Sequence, residues 1–527
     1  MLRQLAADFW TWRAATRPDN GDDLTRMERP AGWLADWSDR AVSDLRAKAA
    51  DFTRRLDSID VSGEPVAVRV DARLLRSAID RVHWENDLLR GWQRHPGFYV
   101  DQAVIPIFEA MLPLESPDRA ATVSAYLRHI PVIIDQAKTN LADVAAPFAR
   151  LAIDQLDRLV RDLPASMAAL SLLATDAVDA LESYRDWLVE RLPTFGASAA
   201  VGADAFGFFL HRVALYPQPA DHIVQLARSE WQRAVAMEAV FAQRFRHVPP
   251  APLAASIADQ VATEDADEKR LRRFYAENAI LSQPDDLRRY LFAPMPAYLA
   301  PLAWLAVPDD LTSLRRAGED AIRYVPAPRD DLPYFERAKA YDPLCGGLIH
   351  EGVHAQQAAL SWQHPDPVRR HYYDSLPSEG IAFYHEEMTL QAGLFADRPD
   401  SMRQIANFLR LRAIRAELDV ELALGSISLD EAADRLLRLV PVDREMAFHD
   451  ATGLAARPGQ RLSYQAGKQQ ILDLLASARV HFGDSFDLRR FHDRLWSEGN
   501  VPIALQRWEL LGDPSQLAAA DRLAPER

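Results

Sequence analysis

The chain has 527 residues, of which 48% are hydrophobic and 26% are charged, and these fractions exclude a disordered or fibrous protein. Acidic residues outnumber basic residues by 76 to 61, and the net charge of −15 argues against nucleic acid as the main ligand. The single cysteine, Cys345, excludes an internal disulfide framework and a multi-cysteine metal site.

The N-terminal segment 1–23 carries charged and aromatic residues where a signal peptide has an uninterrupted apolar core. No stretch of the chain approaches about 18 apolar residues without a charge, so we expect no membrane-spanning helix and no membrane partner. The sequence therefore predicts a cytoplasmic protein, and the single cysteine fits a reducing compartment.

The composition favours helix, because glycine is scarce and Ala, Leu, Arg, Asp and Glu dominate. Apolar residues recur at helical spacing in segments such as 144–159 and 409–422. Short alternating stretches typical of strands occur at 65–70 and 320–325. We therefore predict a mainly α-helical protein with at most a small β-sheet.

A Pro/Ala-rich segment that turns acidic, 248–270, is the best candidate for a boundary between two lobes. It divides the chain into an N-terminal helical lobe, 1–260, and a catalytic helical lobe, 261–527. Neither this segment nor a second candidate at 306–335 has the composition of a long flexible linker. We expect the two lobes to form one compact unit.

The tryptophans near the N-terminus, Trp10, Trp12, Trp33 and Trp37, are interpreted as core packing rather than as a ligand cage. His371 lies in a polar segment and is interpreted as a solvated histidine, although a place in a cleft is the alternative.

The segment 345–357 carries the clearest chemical motif, His350-Glu351-Gly352-Val353-His354. Residues four apart share one face of a helix, so His350 and His354 can present both imidazoles to one Zn²⁺. Glu351 stands where it can hold a metal-activated water and take its proton as the general base. A helix with two partly buried histidines is the alternative interpretation.

A zinc site of this kind needs a third protein ligand. Glu379 is the candidate, because Pro377-Ser378 predicts a helix start that places this carboxylate in the first turn. Glu386 lies two turns farther along the same face, where it could support the ligands from behind. Glu386 or Glu387 could instead take the place of Glu379 as the third ligand.

Several further segments carry recognisable sequence motifs. His350-Glu351 and His354-Ala-Gln-Gln357 are followed by Glu379-Gly-Ile-Ala-Phe-Tyr-His-Glu386 and by Pro458-Gly-Gln-Arg-Leu-Ser-Tyr464. With the segments 202–210, 412–419, 486–493 and 499–502, they resemble the bacterial family called domain of unknown function 885, a gluzincin-like group of helical zinc metallopeptidases. The similarity runs through most of the chain.

The resemblance implies a large two-lobed helical fold around a deep cleft, with a small sheet near the zinc helix. It also makes Tyr464 the candidate hydrogen-bond donor to the oxyanion, because the family carries a tyrosine at this place, with a tyrosine packed at a helix start as the alternative. The chain departs from the family in its shorter spacing between the two histidines, in Glu421-Leu422-Ala423 and in Gly453-Leu454. We expect the metal site to be retained despite these changes, whereas the groups that bind the substrate are altered.

Two basic residues are candidates for substrate binding. Lys468 follows Tyr464 by one helical turn and could bind a substrate carboxylate, with a solvated lysine as the alternative. Arg415 could also bind substrate, or could form ion pairs within its helix together with Arg412 and Asp419. The segment Ala321–Val325 is expected to be an edge strand beside the cleft, where a peptide could pair with it.

The resulting hypothesis is a metallohydrolase with one Zn²⁺ per chain that cleaves peptide or amide bonds of small substrates, with Glu351 as the general base. One alternative is a zinc-dependent lyase or a pathway-specific amidase that acts on a small carboxylate-bearing metabolite. Another is a non-catalytic helical metal-binding protein. The sequence indicates neither the oligomeric state nor the identity of the substrate.

Overall fold

The structure is a computed structural model that describes residues 1–21, 27–440, 442 and 444–525. These residues form many α-helices and a small sheet, which confirms the predicted mainly helical fold. The helices before the sheet are α1 (Leu2–Thr16), α2 (Asp39–Asp57), α3 (Val66–His83), α4 (Gly91–Arg94), α5 (Pro96–Met111), α6 (Arg119–Asn140), α7 (Ala146–Ala169), α8 (Thr175–Arg191), α9 (Ala203–Phe208), α10 (Ala220–Arg244) and α11 (Ile257–Glu277).

The sheet and the second set of helices contain the segments singled out in the sequence. The strands are β1 (Tyr290–Pro294), β2 (Asp309–Asp310) and β3 (Ala321–Val325). The helices after the sheet are α12 (Tyr334–Tyr341), α13 (Glu351–Trp362), α14 (Pro367–His371), α15 (Ser375–Gln391), α16 (Pro399–Leu424), α17 (Leu429–Leu439), α18 (Arg444–Ala456), α19 (Ser463–Phe482), α20 (Leu488–Ser497), α21 (Ile503–Leu511) and α22 (Ser515–Leu523).

One of the two predicted strand-like segments is helical. Residues 66–70 form the first turns of α3, and Pro65 stands directly before the helix. Proline suits this place because its fixed φ fits a helix start and its missing N–H would have no helical partner there. The alternating valines belong to a longer pattern in which Val70, Leu74 and Ala78 are buried at a spacing of four residues. The helical period therefore overrides the short alternation.

The strand at 321–325 is confirmed, but the expectation that it forms the edge of the sheet is wrong. The strand order is β1-β3-β2, with β1 parallel and β2 antiparallel to the central β3. Most side chains of β3 are buried, as a strand with neighbours on both sides requires. The short strand β2 lies at one edge instead.

The hydrophobic core consists of several clusters that combine distant parts of the chain. One cluster joins Phe9 of α1 and Leu74 of α3 to Leu505 of α21. Another surrounds the histidine motif and contains Phe292 of β1, Val353 of α13 and Ile381 of α15. The predicted lobe boundary near residue 260 stays a prediction.

Close contact between α15 and α19 depends on two facing glycines. A Cβ atom at Gly467 would lie 2.1 Å from the carbonyl oxygen of Leu376, and a Cβ atom at Gly380 would lie 2.7 Å from the backbone of Gly467. Only glycine allows the two backbones to approach this closely. The contact holds Glu379 of α15 near Tyr464 of α19.

Candidate metal centre

The histidine motif lies at the start of α13. A π-helical turn, Leu344–Leu348, precedes it, and His350 is the residue directly before the helix. A Cβ atom at Gly346 would lie 2.6 Å from the backbone of Lys339, and one at Gly347 would lie 2.7 Å from the ring of Phe292. The two glycines therefore let the turn pack against α12 and β1. This packing fixes the position of both histidines, whose ring centroids are 5.0 Å apart.

Glu379 completes a group of three buried side chains. Its Oε2 atom lies 3.3 Å from Nε2 of His350 and 3.5 Å from Nε2 of His354. The three ligand atoms all lie within 4.8 Å of one another, so this group could hold a metal ion. Glu379 is in the second turn of α15, not in the first as the sequence predicts, because Asp374 caps the helix by accepting the N–H of Leu376.

The chemistry of the three side chains fits a metal ion. Among the described residues, no hydrogen-bond donor satisfies the buried Oε2 atom of Glu379. Burial acts to raise the pKa of Glu379, but the charges of His354 and His350 outweigh burial and hold the pKa well below its ordinary value. An ionised carboxylate and two imidazoles form the His₂Glu donor set of catalytic zinc sites.

Glu386 and Arg412 orient the first histidine from behind. Glu386 Oε1 lies 2.7 Å from Nδ1 of His350, and Arg412 Nη1 donates to Glu386 Oε2 at 2.7 Å. Burial and Arg412 act to lower the pKa of His350, whereas Glu379 and Glu386 outweigh them and raise it to about 9. A carboxylate on the far nitrogen of a histidine is the usual support for a metal-binding imidazole.

The other two candidates for the third ligand are occupied elsewhere. Glu386 meets the far nitrogen of His350 rather than the side that faces Glu379. Glu387 accepts hydrogen bonds from Arg233 and from Lys468. Of the three glutamates, Glu379 is therefore the one that the structure brings to both histidines.

A cavity of about 280 Å³ opens onto this group. Glu351 and Tyr464 line it together with His350, His354 and Glu379. Burial acts to raise the pKa of Glu351, but the positive charges of His350 and Lys339 outweigh burial and hold the pKa below its ordinary value. The ring of Tyr464 stacks on His350 with 5.8 Å between centroids and an interplanar angle of 11°.

The structure places the two predicted substrate-binding residues outside the lining of this cavity. Lys468 is buried and donates to Glu230 and Glu387, both at 2.8 Å. It is therefore not the solvated lysine of the alternative interpretation. Arg415 is buried and donates to Asp450 at 2.6 Å. A role of Lys468 and Arg415 in substrate binding stays a prediction that these contacts do not favour.

The alternative of ion pairs among Arg412, Arg415 and Asp419 within α16 is wrong, because these three residues find their partners on other elements. Asp419 accepts backbone N–H groups of Gly459, Arg461 and Leu462 at 2.8–2.9 Å. Burial raises the pKa of Asp419 to about 7, although the three N–H groups oppose this rise. Asp419 thereby anchors the loop that leads into α19 and Tyr464.

Several charged residues of the cavity escaped the sequence interpretation, among them Arg461 and Asp309. Arg461 lines the cavity, and its place three residues before Tyr464 is the signal that could have found it. Asp309 of β2 also lines the cavity and accepts from Nη1 of the buried Arg323 at 3.0 Å. No local motif marks Asp309, because the pairing of β2 with β3 is what brings it there.

The sequence profile of a family described as bacterial protein of unknown function (DUF885) matches residues 21–509. The chain belongs to this family. A comparison with curated proteins finds no match for this DUF885 chain.

Two solved structures share the fold of this DUF885 protein. One, from Shewanella oneidensis, is 17% identical with a TM-score of 0.73, and the match covers 97% of this chain and 98% of the other. The second, from Colwellia psychrerythraea, is 15% identical with a TM-score of 0.73, and the match covers 99% of this chain and 97% of the other. At these identities the likeness shows the fold alone.

Both solved proteins are described as a "putative lipoprotein". That description does not fit the cytoplasmic location predicted for this chain, which stays a prediction. Within the residues that the structure describes, no helix is long and apolar enough to cross a membrane.

Proposed function

We propose that this DUF885 protein is a zinc-dependent metallohydrolase of the gluzincin type that cleaves peptide or amide bonds of small substrates. The observation that supports this function best is the convergence of His350, His354 and Glu379 beside Glu351 in the wall of a cavity. Structural ion pairs seldom combine two imidazoles, a carboxylate oxygen that lacks a hydrogen-bond donor and a second, adjacent glutamate in one concave site.

In this proposal His350, His354 and Glu379 hold one Zn²⁺ per chain. When bound in a His₂Glu site, Zn²⁺ polarises a carbonyl group and lowers the pKa of a water to about 7. Glu386 keeps His350 in the orientation that a ligand needs, because it faces the far nitrogen of that ring.

Glu351 is the general base of the proposed reaction. Its depressed pKa means that it is ionised at neutral pH and ready to take a proton from the attacking water. After the attack, the same carboxyl group delivers this proton to the nitrogen of the leaving amine, so that the group returns to its starting state.

Tyr464 is the proposed donor to the oxyanion that forms when water adds to the carbonyl carbon. Its ring is fixed by stacking on His350 and by an edge contact with Phe383, whose centroid is 6.3 Å away. A hydroxyl group held in this way needs no reorganisation when negative charge develops. The cavity volume of about 280 Å³ suits a short peptide or a small amide.

The substitution Glu351→Gln tests this function. We expect the variant to keep its zinc content but to lose at least about 100-fold in kcat on a library of short peptides and acyl amides, because it lacks the base. Mass spectrometry of the products measures the rate, and isotopically labelled water distinguishes hydrolysis from elimination. The variant Glu387→Gln is the matched control, since this buried glutamate lies outside the cavity lining.

The absence of hydrolysis by the zinc-loaded wild type across the whole library would contradict the proposal. Full activity of Glu351→Gln would contradict the role of Glu351.

A further inference from the structure

A second cavity, of about 210 Å³, adjoins the metal cavity. Asn20 lines both cavities. Ser375 of α15 lines the second cavity one turn before Glu379, and Gln460 lines it directly before Arg461. The two cavities therefore meet at Asn20 and lie next to each other along the start of α15 and the loop before α19.

Aromatic side chains form much of the wall of the second cavity. Trp37, Trp84 and Trp92 are buried and line it, together with Phe98 and Phe209. The tryptophans near the N-terminus therefore do more than fill the core, because Trp10 and Trp37 also face this cavity. Flat aromatic walls favour a flat apolar ligand, which can stack on them or meet them edge to face.

Arg13 and Trp10 each place in this wall a buried donor that has no acceptor among the described residues. Arg13 is 5% exposed and Trp10 is 7% exposed, and both line the cavity. Among the described residues, Arg13 Nη1 and Trp10 Nε1 have no hydrogen-bond partner, whereas Arg13 Nη2 is paired with Glu85. An unpaired buried donor costs free energy, so these two groups indicate a place for a ligand oxygen.

The charges around the cavity favour an anion. The charged residues that line it are Arg13, Arg17, Arg81, Arg457, Asp19, Glu85 and Asp101. Burial and the neighbouring Asp19 raise the pKa of Asp101 well above its ordinary value, which lowers the negative charge of this set. Burial lowers the pKa of Arg457 to about 10, so this guanidinium stays positive at neutral pH.

We propose that the second cavity binds a flat aromatic group that carries a carboxylate, and that it receives this part of the substrate. The part of this proposal in which a substrate occupies the cavity rests on the proposed function, whereas the binding of an aromatic carboxylate does not. The guanidinium groups of Arg13 and Arg457 bind the carboxylate, and the tryptophans enclose the ring. The preferred substrates are therefore short peptides or amides that end in an aromatic residue with a free carboxylate.

Calorimetric titration of the metal-free protein with 3-phenylpropionate and with its neutral amide tests the binding. Metal-free protein is used because a carboxylate could also bind to a metal ion. We expect the acid to bind at least about tenfold more tightly than the amide, since a charge-assisted hydrogen bond contributes this much. Arg457→Met should weaken binding of the acid by about tenfold as well.

Arg76→Met is the matched control, because Arg76 lies on α3 and is paired with Asp57 rather than facing the cavity. This variant should bind the acid as the wild type does. Arg13→Met is a second test, and Arg457→Met keeps the proposal testable if Arg13→Met fails to fold. Equal binding of acid and amide, or unchanged binding by Arg457→Met, would overturn the proposal.

Hydrolysis assays distinguish a failure of the second cavity as a substrate site from a failure of the proposed metallohydrolase function. On zinc-loaded protein, Arg457→Met should lower kcat/KM by about tenfold for Ala-Phe but not for its C-terminal amide. Hydrolysis of both substrates with no effect of this variant would overturn the second cavity as a substrate site. Binding of 3-phenylpropionate without hydrolysis of any substrate would instead overturn the proposed function and support the cavity as a carboxylate site.

Discussion

Tyr464 shows how a single side chain links the metal group to the proposed chemistry. Its ring is held between His350 and Phe383, and the guanidinium of Arg412 lies 5.1 Å from the ring centroid. Tyr464→Phe keeps the ring and removes only the hydroxyl. We expect kcat to fall by about 100-fold or more with little change in KM or zinc content, because the oxyanion loses a donor.

Steady-state kinetics and metal analysis check this expectation. Tyr384→Phe is the matched control, because Tyr384 is also buried on the neighbouring helix but its hydroxyl contacts His492 at 2.9 Å, away from the cavity. A kcat of Tyr464→Phe equal to that of the wild type would remove Tyr464 from the mechanism.

Glu264 gives the stability a pH dependence that is separate from the metal centre. Burial, with Glu268 and Asp265, raises the pKa of this carboxyl from 4.5 to about 8, against the opposing N–H of Phe292 and the charge of Arg289. The folded protein therefore holds an extra proton above pH 4.5. The raised pKa of Glu264 therefore stabilises the folded protein fully below pH 4.5, and this stabilisation is lost as the pH rises through 8.

Glu264→Gln removes this loss, because the amide stays neutral at every pH. Urea unfolding at several pH values between 5.5 and 8.5 should show the variant gaining free energy of unfolding relative to the wild type as the pH rises. Glu277→Gln, an exposed position at the end of the same helix, is the control. A constant difference between Glu264→Gln and the wild type would contradict the raised pKa.

The local part of the metal centre could be predicted at the level of residues. The spacing of His350 and His354 lies within one helical turn, so the sequence alone indicates the pair. The supporting contacts of Arg412 and the cavity-lining position of Asp309 depend on tertiary packing. No periodicity within a helix or a strand carries that information.

At the level of elements, the glycine contact between α15 and α19 controls the distance between Glu379 and Tyr464. Gly467→Ala would bring a methyl group to 2.1 Å from the carbonyl oxygen of Leu376, so the two helices must separate. We expect a loss of about 1–3 kcal/mol in stability, together with a lower kcat. Thermal unfolding and kinetics measure the two effects.

Gly453→Ala is the matched control, because Gly453 also lies in a helix and, among the described residues, nothing lies within 4 Å of its added Cβ atom. This variant should be as stable as the wild type or more stable by about 0.5–1 kcal/mol. A stable and fully active Gly467→Ala variant would show that the helix contact is not required.

The elements themselves follow from periodicity, but their ends depend on caps. The pair Pro377-Ser378 predicts the helix that carries Glu379, yet the helix starts earlier because Asp374 provides the cap. The segment 65–70 alternates like a strand, yet it belongs to a longer helical pattern. The strand at 321–325 is central because β1 and β2 flank it, and the pattern of one strand does not reveal its neighbours.

At the level of the whole molecule, the metal centre lies within the cluster that also contains Val353, Ile381 and Ile471. Metal binding should therefore stabilise the folded protein as a whole. At free metal about 100-fold above the dissociation constant the gain is about 2.7 kcal/mol. We expect a chelator to lower the melting temperature by several degrees while the far-ultraviolet circular dichroism at room temperature stays unchanged.

The variant Glu379→Gln is the control for this measurement, because it lacks the third ligand. Its melting temperature should not respond to the chelator. An equal response of the variant and the wild type would place the stabilising metal at another site.

The sequence predicts the fold class well, because composition and helical period are properties of every segment. The arrangement of the molecule is harder to predict, since the core clusters combine residues as distant as Phe9 and Leu505. The second cavity is an example, because α1, α3 and the loop before α19 meet there only in the folded chain.

The most direct test of the metal centre is the metal content of the protein purified without added metal, measured by mass spectrometry for the wild type and for Glu379→Gln. We predict about one zinc per chain in the wild type and a clear loss in the variant, with Glu387→Gln unchanged. A wild-type protein that holds no metal even after zinc is supplied would contradict the metallohydrolase proposal.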